Sequence, residues 1–440
     1  MNITKGTLQL KNHLIKRKDI YNNVYYSQQE INIETLYDHL YGMIEPIQYV
    51  NINTQDIFLL QLQTIEYLSS MEKRKHNKAL ENLKILNINS IDNTDTVLLN
   101  NALEKQATCK YTDAHQKYRE LLNNNPKNRL AFFALHMMEF NLGWQKSMLE
   151  TSQIVVNAFT NTNHSFYGYS KGIESFALIE NGMFEEGKNA ADIALSINPK
   201  DVYSIHAMCH YFYETGKYQE GILWMKKMKP YWECNKGMRI HVWWHLAVFH
   251  LFNLDFKEVK QIMTNEIIRK NIENGFEDLD VTALLWRLHL LDENNTIPYK
   301  SLNNWDDYLN NSHFIFNDLH ALIAYILKDE KEKIESLIQQ VRERQYNTIN
   351  YEQYNLLSGF YDFARQNYSE ASKKLFPLVN NTNFGGSNAQ RDIIPITLYF
   401  SLLKSNNLNE ARKLLNTCRA FKHPSKLKEK LLFELEGDDD

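Results

Sequence analysis

The sequence is short of the residues that staple or break a chain. Its four cysteines, Cys109, Cys209, Cys234 and Cys418, lie far apart with no Cys-x-x-Cys pair. That spacing indicates neither a disulfide framework nor a cysteine zinc site, and it fits a reducing compartment. Eight prolines and fifteen glycines in 440 residues leave no plausible flexible linker. Neither sign of charge dominates: 49 Lys and Arg stand against 53 Asp and Glu, a net charge of −4. Such a balance offers no footprint for a phosphate backbone or an anionic membrane. Long apolar runs are missing too. The most apolar stretch, MRIHVWWHLAVFHLFNL, carries three histidines and is too short for a comfortable span. The first twenty residues lack the apolar core of a signal peptide. The expectation is therefore a cytoplasmic chain without nucleic-acid or membrane partners. Glycine-rich nucleotide loops, a Gly-x-Ser-x-Gly elbow and a dinucleotide fingerprint are also absent, so neither ATP nor NAD is invited.

What is present is ordinary globular usage, 43% hydrophobic and 23% charged, enough to bury a large interior. An internal period organises it. Gly182, Phe184 and Gly187 recur as Gly216, Tyr218 and Gly221, thirty-four residues later. That is the length of a tetratricopeptide repeat, two antiparallel helices joined by a short turn. The same grammar appears upstream with Tyr111, Ala114, Tyr118, Leu122 and Pro126, followed by Gly143. It returns downstream with Tyr368 and Ala371, then Leu408 and Ala411. Amphipathic three-and-four spacing fills the remainder, and no segment alternates as a strand. The reading is an all-α helical-hairpin solenoid over 101–425, with an irregular helical part at 1–100 and a tail at 426–440. A solenoid of this length can curl until its ends enclose a cavity.

Five blocks, NPKDVYSIHAMCH, HVWWHLAVFHL, LDVTALLWRLHL, FNDLHALIAYI and GGSNAQRDI, occur here in an order that resembles the tetratricopeptide repeat protein 38 family and its bacterial members. The likeness covers roughly residues 105 to 425. It implies a tetratricopeptide-like fold and no particular chemistry. One departure is visible. The family usually has a glutamate three residues after the second histidine of the first pair, where this chain has Tyr213 with Glu214 beside it.

The first block and the second each hold a histidine pair at helical spacing: His206 and His210, then His241 and His245. Pairs four apart share one helix face, and neighbouring repeats bring two such faces to about 8–10 Å between axes. Three readings follow from the residues. Neutral imidazoles at this spacing bind a divalent transition metal, with Asp280, which opens the next helix, as a further donor. Alternatively, the four histidines act as acid and base on a bound small anionic molecule. In the third reading they are interior histidines satisfied by backbone carbonyls and by Tyr203 or Asp201.

The ligand-facing positions of a tetratricopeptide first helix fall on Tyr203, His206, His210 and Tyr213, with Trp244 one repeat on. GGSNAQRD adds Asn388, Gln390 and Arg391: a capping box, or a helix start that holds a carboxylate or phosphate. Arg391 can also pair with Asp280 or Asp392. Arg287 beside Trp286 reads as a buried cation held by Asp280 or Asp318, and His320 and His136 sit on apolar helical faces. The expected function is binding of a small molecule or peptide in a concave pocket lined by His, Tyr and Trp. The alternative is an enzyme on the same scaffold, its four histidines serving as metal ligands or as acid and base.

Overall fold

The computed structural model describes residues 14–15, 33–43, 49–50, 56–70, 72–88, 94–159, 164–268, 275–292, 295, 299–344 and 350–437. Helices dominate it. In order they are α1 (Ile33–Tyr41), α2 (Ile57–Ser69), α3 (Lys73–Ile88), α4 (Thr94–Ala107), α5 (Tyr111–Asn124), α6 (Arg129–Leu142), α7 (Gln145–Asn157), α8 (Ser165–Glu180), α9 (Phe184–Ile197), α10 (Val202–Glu214) and α11 (Tyr218–Trp232). They continue with α12 (Arg239–Phe252), α13 (Phe256–Ile262), α14 (Gly275–Leu291), α15 (Ile315–Leu327), α16 (Lys331–Glu343), α17 (Asn350–Ala364), α18 (Tyr368–Leu375), α19 (Asn388–Arg391), α20 (Ile393–Lys404), α21 (Leu408–Thr417) and α22 (Lys426–Gly437). Among the described residues, the only strand pairing is a two-residue antiparallel ladder, Leu14–Ile15 with Tyr49–Val50. The fold is an all-α helical-hairpin solenoid. No helix among the described residues is long and apolar enough to cross a membrane.

One turn recurs. Cys109, Gly143, Gly182, Gly216, Leu254, Asp329, Gln366 and Asn406 each take a positive φ between two antiparallel helices. In each case the next N–H donates to the carbonyl five residues back, as Lys217 does to Phe212 and Asn407 to Leu402. This is the Schellman closure, which satisfies the carbonyls orphaned at a helix end. The second helix opens two residues after the turn, on an aromatic residue at Tyr111, Phe184, Tyr218, Phe256 and Tyr368, and on Gln145, Lys331 and Leu408 in the other three. The periods seen in the sequence are thus real hairpins.

The two helices of a hairpin differ in burial. All thirteen residues of α10 are buried, whereas α11 buries chiefly Tyr218, Gly221, Ile222, Met225 and Trp232. First helices α8, α10, α12 and α14 pack on one another in succession and form the inner layer. The outer layer is amphipathic, as a helix with one wet face must be.

The chain returns across the middle of its own array. A Cβ at Gly143 would sit 1.7 Å from the Thr382 carbonyl oxygen, and one at Gly216 would lie 2.4 Å from His423 Cβ. Glycine at these two turns therefore serves close approach as well as the left-handed backbone. Asn388 N–H donates to Glu180 Oε2 at 2.9 Å, and His423 Nε2 donates to the Glu214 carbonyl at 2.7 Å. The segment expected as a tail is corrected here: 426–437 is helical, and Leu427, Leu431 and Leu435 are buried because they recur every four residues on one face. Of the closing GDDD, only Gly437 lies within the described residues.

Candidate functional site

The inner layer carries polar groups where a core would hold leucine. His206 and His210 project from α10, and His241 and His245 from α12. Glu180 ends α8, and Asp280 lies on α14. Asp201 caps α10 by accepting from the Tyr203 N–H at 3.2 Å, which fixes the helix start and the histidine register. The thirty-five-residue offset between the pairs equals one hairpin, so packing of α10 on α12 brings both faces together.

All four rings meet. His206 Nε2 lies 2.8 Å from His210 Nε2 and 3.0 Å from His241 Nε2. The ring of His245 lies 5.2 Å from that of His206, 4.6 Å from His210 and 4.8 Å from His241, between centroids. One ligating nitrogen from each of the four falls within 4.8 Å of the others. His206, His210 and His245 are buried, and His241 is half-buried.

Carboxylates back two of these rings. His241 Nδ1 is 2.9 Å from both oxygens of Asp280, so it donates there and leaves its Nε2 lone pair aimed inward. His210 Nδ1 lies 3.1 Å from Glu180 Oε1. That contact is close but too poorly aligned for a hydrogen bond, and it acts as electrostatic bias toward the same tautomer. Asp280 therefore stands behind His241; the expectation of a direct ligand is corrected. Its helix places it on the outer nitrogen.

Burial disfavours the charged form of three of the four rings. Burial first, then the neighbouring imidazoles, holds His206 and His245 well below the usual histidine range. His210 is lowered by burial, against the pull of Glu180. For Glu180 burial pushes up, yet His210, Arg391 and the Asn388 N–H together hold its carboxyl below its ordinary value. Neutral imidazole is the form that binds a cation. His245 stands out, because neither of its buried ring nitrogens reaches a hydrogen-bond partner. An unmet buried polar group of this kind costs about 1–3 kcal/mol.

The other expected residues surround the cluster without joining it. Trp244 stacks on His241 at 5.5 Å and 8°, and the Arg287 guanidinium lies 5.4 Å from the Trp244 ring. Arg287 donates to the carbonyls of Ala283 at 3.0 Å and Ala389 at 2.8 Å rather than to Asp280 or Asp318, because the 389–390 backbone lies within its reach. Asp318 instead takes Arg344 at the 2.5 Å contact and the Tyr308 hydroxyl at 2.8 Å. Tyr203 meets His136 through its hydroxyl, beside a cavity with room for about one water. The Tyr213 hydroxyl donates to Asp392 at 2.6 Å. His320 Nδ1 donates to the Phe316 carbonyl one turn back, at 2.7 Å.

Ser387 and Gln390 form the capping box read from GGSN. Arg391 does not pair with Asp280 or Asp392; it donates to the Gly385 and Gly386 carbonyls and to Asn388 Oδ1, fastening its own turn. Asn388 also accepts from Gln145. Tyr203, Tyr213, Trp244, Arg287, His320, Asn388, Gln390 and Arg391 are all buried.

Sequence reasoning missed Glu180. It lies thirty-four residues before Glu214, one repeat, so the period that aligned Gly182 with Gly216 could have placed it. Arg419, which pairs with Glu214 at 2.7 Å and also with Asp392, carried no comparable signal. No protein-family model matches the chain.

Proposed function

We propose that this protein binds a single divalent transition-metal ion through His206, His210, His241 and His245. The observation that carries the reading is the convergence of four imidazoles, two backed by carboxylates, with neither ring nitrogen of buried His245 met by a hydrogen-bond partner. Carboxylates on the outer nitrogens of metal-ligating histidines orient the rings and raise their basicity. Glu180 and Asp280 together would also offset the charge of a dication in a buried place, which a hydrocarbon interior would otherwise oppose. Spacings of 2.8 and 3.0 Å match nitrogens about 90° apart around an ion at roughly 2.1 Å, a geometry that suits copper, nickel or iron better than tetrahedral zinc.

Ring contacts of 4.5–5.2 Å leave space among the four histidines for an ion rather than an organic molecule. That favours the metal reading over a peptide or small molecule held by these rings. Acid and base work on a substrate is the second reading, supported by the partial exposure of His241 and by the adjoining Tyr203–His136 pair. We also read the chain as a tetratricopeptide-type array of the protein 38 family. Support comes from the ordered blocks: those that hold α10, α12 and most of α14 carry the four histidines and Asp280.

Elemental analysis of untagged, full-length protein grown in metal-replete medium tests the proposal. The unaltered chain should carry one more transition-metal ion than the His210→Gln/His245→Gln variant. Equal metal content in the two, with both folded, removes the reading.

A further inference from the structure

A second group of ligating side chains lies where the amino-terminal helices meet the far part of the array. His76 projects from α3, Cys109 occupies the left-handed turn between α4 and α5, and His313 precedes α15. Cys109 Sγ lies 3.5 Å from His313 Nε2, across 204 residues of chain. The rings of His76 and His313 stand 4.7 Å apart, and one donor atom from each of the three residues falls within 4.8 Å of the others.

His76 is the telling member. It is 2% exposed, and neither ring nitrogen reaches a hydrogen-bond partner of good geometry. Burial, then His313, pulls its pKa down to about 3, although the nearby Ala107 and Leu68 carbonyls favour its charged form. His313 is lowered to about 4 by burial and by Arg344 and Lys73. Both imidazoles are thus neutral at pH 7.

The distances have a metal-like signature. An ion with bonds of about 2.3 Å to sulfur and 2.0–2.1 Å to nitrogen in tetrahedral geometry holds those two atoms about 3.5 Å apart. An S–H···N hydrogen bond would give a similar Cys109–His313 contact, yet it would leave the buried nitrogens of His76 unexplained. Nor does the backbone ask for cysteine, since the equivalent turns use Gly, Leu, Asp, Gln and Asn.

We propose that His76, Cys109 and His313 bind a second ion, of the zinc class, and that this ion clamps the first hairpins to the segment entering α15. One thiolate and two imidazoles are borderline-soft donors suited to such an ion, with the fourth position left to water. The site is independent of the four-histidine centre and shares no residue with it.

Cobalt(II) titrated into metal-stripped, full-length protein provides the test. A thiolate-to-cobalt absorption band in the near ultraviolet is expected in the unaltered chain. It should vanish in Cys109→Ser, and it should persist in His245→Gln because imidazoles alone give no such band. The His245→Gln arm keeps the outcome separate from that of the four-histidine proposal. His313→Gln should weaken cobalt binding at this site by at least about tenfold, which decides the matter even if Cys109→Ser fails to fold. Absence of the band from the unaltered protein, or its survival in folded Cys109→Ser, overturns the assignment.

Discussion

Helices α10 and α11 are two halves of one hairpin, yet polar residues mean different things on each. On α11 Glu220, Lys226 and Lys227 face water, where a charge costs little and reports little. On α10 every position is buried, so each histidine had to be matched by a partner or leave a polar atom unmet. The inner layer concentrates such groups: Glu180, His206, His210, Glu214, His245 and Asp280 are all buried. A polar residue becomes informative where the fold denies it solvent.

Acid should break this contrast most strongly. His76, His136, His206, His210, His245 and His320 all have folded pKa values below the ordinary one, mainly through burial. Below about pH 6.5 the unfolded chain takes up protons that these folded groups refuse. Stability is therefore complete above that pH and falls as pH drops toward the folded values, about 3 for His136 and about 4 for His320. Each fully shifted histidine contributes up to about 1.4 kcal/mol per pH unit. Urea unfolding of metal-stripped protein at pH 7.5, 6.5, 5.5 and 5.0 should show a steep loss beginning between 6.5 and 5.5. A flat profile over that range would mean that the rings are already accessible to protons.

Substitution sharpens the contrast next. Glu180→Ala removes the acceptor of the Asn388 N–H and of Gln145, both at 2.9 Å, and should cost about 2–4 kcal/mol. Glu186→Ala on the exposed face of α9 should stay within about 0.5 kcal/mol. Chemical denaturation of the two variants side by side checks the difference.

His245→Leu separates binding from folding. Replacing a partnerless buried imidazole by an apolar side chain should stabilise the metal-free protein by about 1–2 kcal/mol while abolishing ion uptake at the cluster. A destabilised variant that keeps its metal would reverse the argument.

The smallest effect belongs to the turns. Gln366 is exposed and holds a φ of 63°, a conformation that disfavours side chains by about 1 kcal/mol. Gln366→Gly should raise the melting temperature by a degree or two, measured by calorimetry.

Much of the architecture was legible because hairpin burial imposes period on sequence. Gly182 and Gly216 announced two turns, and Tyr111, Phe184 and Tyr218 announced the helices that follow them. The remaining turns were harder to read. A Schellman closure needs the left-handed backbone, and here Cys109, Leu254, Asp329, Gln366 and Asn406 take it in place of glycine. Gly143 and Gly216 stayed glycine where residues 382 and 423 press on them. For the cluster, the spacing of His206 with His210 and of His241 with His245 named all four rings; Asp280 was named as opening the next helix, although α14 begins more than a turn earlier, at Gly275. Which nitrogen Asp280 would face, and the approach of Glu180 from another hairpin, depend on packing angles that no local pattern encodes. The His76–Cys109–His313 group was invisible for the same reason: its first and last members lie 237 positions apart, 313 less 76, and converge only when the array folds.

Anomalous diffraction from crystals of untagged, metal-replete protein, collected at the edge of the metal that elemental analysis identifies, tests the central claim most directly. A peak is expected about 2.0–2.2 Å from one nitrogen of each of His206, His210, His241 and His245. Ordered side chains with no peak among them would contradict it.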